Sequence, residues 1–138
     1  MNKRLKLMAC AAATAFTVSL GSAALAHHSF AMFDNDKTVK LTGEVEDFEW
    51  INPHVWLHIK MPDESGQDVV WSFEAGSPGQ LGQSGWTPES VHAGDEIEVA
   101  FHPLKDGSNG GQLLEITKTD GTYLCQGAWC REKQGVTN

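Results

Sequence analysis

The eight residues from His54 to Met61 alternate without a break, with Val55, Leu57, Ile59 and Met61 on one side of an extended backbone and His54, Trp56, His58 and Lys60 on the other. Successive side chains of a strand point to opposite faces, so a period of two demands a half-buried β-strand and excludes a helix. From Thr38 to Trp50 the apolar residues Val39, Leu41 and Val45 keep one phase, while Phe48 and Trp50 take the other. A change of phase needs an extra residue, which places a β-bulge near Glu46-Asp47 and bends the strand as the corner of a small barrel requires. Asp63-Glu64-Ser65-Gly66 reads as a hairpin turn, and a third strand runs from about Gln67 to Ala75 with Val69, Trp71, Phe73 and Ala75 inward.

The punctuation then changes. Ser77-Pro78 and Thr87-Pro88 each pair a capping residue with proline at a first helical position, while Gly79, Gly82 and Gly85 forbid a long helix, so short helical turns are expected. A fourth strand spans Glu96–His102 with Ile97, Val99 and Phe101 inward. The turn-forming stretch Asp106–Gly111 leads to a fifth strand, Gln112–Thr117, and a further short strand is suggested at Tyr123-Leu124. Three strands, a helical connection and two more strands is the order of an oligonucleotide/oligosaccharide-binding (OB) barrel. The expected fold is therefore mainly β, a small five-stranded OB-like barrel over residues 38–124, with a small β-sandwich as the alternative. Residues 27–37 precede it as an arm and residues 125–138 follow as a tail.

Residues 1–26 carry a different signal. Three basic side chains in Met1–Lys6 precede an apolar run from Leu7 to about Leu20 and the small-residue stretch Gly21–Ala26. This is the pattern of a cleaved export signal, and cutting after Ala26 exposes His27-His28-Ser29-Phe30 as a new amino terminus. Leu7-Met8-Ala9-Cys10 superficially resembles a lipoprotein cleavage box, but the apolar region lies mostly after that cysteine. No later stretch approaches the roughly 20 apolar residues of a membrane-spanning helix, so a periplasmic chain without membrane insertion is expected. Cleavage leaves 112 residues, enough for one modest core. It removes three of ten basic residues and none of eighteen acidic ones, leaving a formal charge of −11 that repels phosphate backbones and argues against nucleic acid as a partner. Two cysteines remain, Cys125 and Cys130, and an even count in an exported chain favours a disulfide that staples the tail.

All six histidines lie beyond the leader. Histidine is the commonest metal ligand, and an amino-terminal His27 would offer both an α-amine and an imidazole to one ion. A further imidazole would complete a three-nitrogen site of the kind Cu(II) prefers, which makes copper the candidate cofactor. His54 and His58 share a face but stand about 13 Å apart along the strand, too far for one ion. His54, after Asn52-Pro53, and His102, before Pro103, emerge at strand ends, so His27, His28, His54 and His102 form the candidate metal set. Trp56 and His58 form a candidate ligand or partner face on the outer side of the second strand, although packing beneath the arm or tail accounts for Trp56 equally. Trp71 and Trp50 read as core, and Trp86 as a plug at one barrel end. Glu44, Glu46, Asp47 and Glu49 read as a solvated face. The chain holds no His-Glu-x-x-His, no paired Cys-x-x-Cys set and no Gly-x-Ser-x-Gly, so catalysis has no positive support.

The blocks His27–Asp34, Gly43-Glu44-Val45, Trp50–Leu57, Gly85-Trp86, Gly94-Asp95 and His102–Gly107 together resemble a family of small exported proteins of Gram-negative bacteria known only as a domain of unknown function. The resemblance covers nearly all of the chain beyond the leader and implies export and a single domain, but no activity. The functional expectation is a periplasmic, non-enzymatic binding protein using copper at the candidate metal set. The alternative is a protein or glycan interaction module using the face of Trp56 and His58, and an accessory role beside a periplasmic redox enzyme is a third.

Overall fold

The computed structural model describes residues 30–133. Six strands follow one another as β1 (Val39–Glu49), β2 (Trp56–Pro62), β3 (Asp68–Glu74), β4 (Glu96–Pro103), β5 (Gly110–Lys118) and β6 (Tyr123–Cys125), with helix α1 (Pro78–Gln83) between β3 and β4 and helix α2 (Gly127–Lys133) after β6. They hydrogen-bond in the order β3-β2-β1-β4-β5-β6, and a parallel pairing of β3 with β5 closes the first five into a barrel. The OB-like order is thus present, with β6 added on the edge of β5, and the sandwich alternative falls away.

The bulge expected in β1 is there: the register with β2 slips between Val45 and Asp47. Up to Glu44 the strand pairs with β4, and from Glu44 onward with β2, so one long bent strand serves both halves of the barrel. Gly43 sits at that crossing, where a Cβ would lie 2.6 Å from the Lys60 carbonyl oxygen. The seam between β3 and β5 is only three residue pairs long, Ser72–Glu74 against Gly110–Gln112. Gly110 makes it possible, because a Cβ there would collide with the carbonyl oxygen of Ser72, while a Cβ on the adjacent Gly111 would collide with the carbonyl oxygen of His102 on β4.

The inward residues of β2 to β5 fill the barrel as their alternation requires: Leu57, Ile59, Phe73, Val99, Phe101 and Leu113 are fully buried. Trp71 and Trp50 are half-buried and pack against this core from its margin. Ser77 caps α1 reciprocally with Gln80, and Pro78 occupies the first turn, as the Ser-Pro pair predicts. The second expected helical turn is a single turn, closed by the Ser90 N–H on the Thr87 carbonyl at 3.0 Å and by the Thr87 N–H on Ser90 Oγ at 2.8 Å. Trp86 is buried beside α1, where its ring stacks on Phe48 and its Nε1 donates to the Cys125 carbonyl at 2.8 Å. No described helix is long and apolar enough to cross a membrane.

Two further corrections concern the ends. The fifth strand begins at Gly110 rather than Gln112, because the glycine pair belongs to the seam and not to the preceding loop. The tail, for which no helix is expected from the sequence, carries α2, which begins at Gly127, whose φ of 55° turns the chain after β6. Cys125 and Cys130 are joined as a disulfide across a sequence separation of five, with Cα atoms 5.3 Å apart.

Candidate functional site

A cleft of about 1010 Å³ opens on the outside of the barrel, bounded by the end of β3, α1, the tail and the arm. Its floor is set by register. Glu74 of β3 pairs with Gln112 of β5, and Gln112 pairs with His102 of β4, so their Cβ atoms stand on one outward row above the buried Phe73, Leu113 and Phe101. His54 joins the row from the loop before β2 by pairing its Nδ1 with the Glu74 carboxylate. Two of the four candidate metal ligands, His54 and His102, therefore line one cleft. His27 and His28, and the expected cut after Ala26, lie outside the described residues.

Both imidazoles are oriented by an oxygen acceptor. His102 Nδ1 donates to the Lys37 carbonyl at 2.7 Å, and a carbonyl can only accept, so the ring's lone pair is on Nε2 when it is neutral. The Glu74 carboxylate, only 8% exposed, imposes the same tautomer on His54. A ring nitrogen held by a carboxylate or a carbonyl is how ligating histidines are usually fixed. Among the described residues, however, no three His, Cys, Asp or Glu side chains converge to hold an ion.

The arm runs along the end of β4, with Phe33 bridging Leu104 and buried at 4% exposure. Asp34 N–H donates to the Pro103 carbonyl and Lys105 N–H to the Met32 carbonyl, which brings Phe33, Asn35 and Thr38 to the cleft. On the other side the tail is anchored by Gln126, whose Oε1 accepts the Gly76 N–H at 2.8 Å while its Nε2 donates to the Leu113 carbonyl. Trp129 Nε1 and the Tyr123 hydroxyl both donate to Oε2 of Glu115, at 2.5 and 2.6 Å, and the Trp129 ring meets His102 edge-on at 6.4 Å. Burial would raise the Glu115 carboxyl, but the hydrogen bonds from Tyr123 and Trp129 and the charges of Lys133 and Lys40 outweigh it and hold the group below its usual range. Burial and the same carboxylate push the Tyr123 hydroxyl up to about 12.

The candidate face of β2 lies in the same belt. Trp56 is half-buried and flat against His58, with ring centroids 6.4 Å apart and planes 8° apart. His58 Nδ1 hydrogen-bonds Ser72 Oγ at 2.8 Å, and its Nε2 stands 3.7 Å from Glu49. Trp56 pairs with both Glu49 and Glu74, so this face adjoins the cleft row across two strands. His92 is exposed on the turn before β4. Glu74, Gln112, Gln126 and Trp129 escaped sequence reasoning. Their places in the alternation mark Glu74 and Gln112 as outward, but nothing local says that the tail covers them.

Residues 14–114 match the model of a family described as "Family of unknown function (DUF6152)". The chain belongs to this family. The DUF6152 match reaches to Leu114, so β6, the disulfide and α2 lie beyond it. No curated protein matches the chain. Among solved structures, the mitochondrial single-stranded DNA-binding protein Rim1 from S. cerevisiae is similar at 14% identity, covering 62% of this chain and 97% of that one with a TM-score of 0.44.

Proposed function

We propose that the protein is an exported, non-enzymatic binding protein of the periplasm that holds Cu(II) through an amino-terminal His27, with His102 and His54 as the neighbouring nitrogen donors and His28 beside them. The observation that carries this reading is the hydrogen bond from His102 Nδ1 to the Lys37 carbonyl. It ties the arm to an imidazole of the cleft and sets the lone pair on Nε2. His27 and Phe30 are three Cα–Cα steps apart, so chain length alone keeps these two within about 11 Å of each other. An α-amine with two or three imidazoles is a donor set suited to tetragonal Cu(II).

The test is a Cu(II) titration of the mature protein with its native amino terminus, read by electron spin resonance. Nitrogen-rich tetragonal binding is expected, weakened by His27→Ala and by His102→Ala but not by His92→Ala. Equal affinity in the His27→Ala protein, or a mature chain that mass spectrometry shows to start elsewhere, would overturn the reading.

A second reading draws on the stacked pair of Trp56 and His58, held by Ser72 and facing outward. Such a platform suits a protein or glycan partner. Trp56→Ala would then abolish capture of that partner from a periplasmic extract with the fold intact, and unchanged capture would remove the idea.

A further inference from the structure

The tail wall of the cleft carries Cys125 and Cys130, on the same cavity as His54 and His102. We infer that this cysteine pair, once reduced, is a binding site for Cu(I), held between two thiolates. The inference goes beyond the Cu(II) reading and needs neither His27 nor His28.

The bond is not the tail's only anchor. Trp86 Nε1 holds the Cys125 carbonyl, Gln126 bridges Gly76 and Leu113, and Trp129 is fastened to Glu115. These anchors hold the chain at Cys125, Gln126 and Trp129, each at or next to a cysteine, so the two sulfurs stay neighbours when the bond between them opens. Their Cα atoms are 5.3 Å apart, Cys130 is half-buried, and both residues line the cleft.

The choice of metal follows from the number of donors. A structural zinc site takes four ligands, and among the described residues no group of three His, Cys, Asp or Glu converges. Cu(I) prefers thiolate ligands and is satisfied by two in a near-linear arrangement. Reduction proceeds by thiol–disulfide exchange with an external dithiol: the S–S bond breaks, the two cysteines gain two electrons and two protons, and the dithiol is left as a disulfide. Cu(I) then displaces the two thiol protons and forms two Cu–S bonds without changing oxidation state.

The experiment uses the full mature protein, reduced with a dithiol, freed of excess reductant without air, and titrated with Cu(I) against a chromogenic Cu(I) chelator. One equivalent is expected to bind, with a sulfur-to-copper absorption in the ultraviolet. Affinity should fall at least about tenfold in the oxidised protein, in the Cys125→Ser/Cys130→Ser protein, and in reduced wild type capped with iodoacetamide. The capped protein keeps the test intact should the double variant fail to fold. Cu(I) binding that is equal in reduced and capped protein, or displaced by equimolar Zn(II), would overturn the proposal. His27→Ala should leave this Cu(I) affinity unchanged, so loss of Cu(II) binding in that variant bears on the earlier reading alone.

Discussion

Glu115 shows how a single side chain can organise the outside of a barrel. It is buried on the outer face of β5, receives an O–H donor from Tyr123 of β6 and an N–H donor from Trp129 of α2, and has Lys40 3.8 Å away. Replacing it with Gln keeps the shape and removes the charge that strengthens both hydrogen bonds. We expect Glu115→Gln to cost about 1–3 kcal/mol in urea unfolding. Because the folded carboxyl titrates below its usual 4.5, its contribution is complete above that pH and is lost as pH falls through the lowered folded value. The acid limb of the stability curve should therefore be shallower in Glu115→Gln than in wild type. Tyr123 works in the opposite sense: its contribution is complete below pH 10.0 and is lost as pH rises through about 12. The outward direction of Glu115 and Glu74 could not be turned into a role from the sequence, because what covers them arrives from a tail without periodicity. His54 and His102 were legible as rim residues because a proline fixes the backbone beside each.

Among the elements, β5 and α1 make opposite demands on glycine. A Cβ at Gly111 would strike the His102 carbonyl and lie 2.6 Å from the Phe101 ring, so Gly111→Ala must part β4 from β5. A loss of about 3 kcal/mol or more in thermal unfolding is expected, together with displacement of His102. At Gly82, on exposed α1, a Cβ meets nothing within 4 Å, and Gly82→Ala should stabilise by up to about 1 kcal/mol. The disulfide closes so short a loop that losing it in Cys125→Ser/Cys130→Ser should cost only about 2 kcal/mol. Strand identity was readable because alternation is local, and the β1 bulge because a phase change is local too. The seam was hidden, since Gly110-Gly111 looks the same in a loop as at a close approach of two strands. Helix α2 was hidden as well, because it buries no side chain and so leaves no apolar stripe.

For the whole molecule, strand order and core follow from the pattern of short amphipathic segments. The cleft does not, being made where an arm from before the barrel and a tail from after it both fold back on its outer wall. The seam also orders events in time. Its three pairs join a strand from the middle of the chain to one made later, so β1, β2 and β3 can meander into a sheet while β5 is still missing. Until that late strand arrives, the newborn sheet shows a bare flank to any neighbour, and the hazard of sticking to another copy is greatest just before the ring shuts.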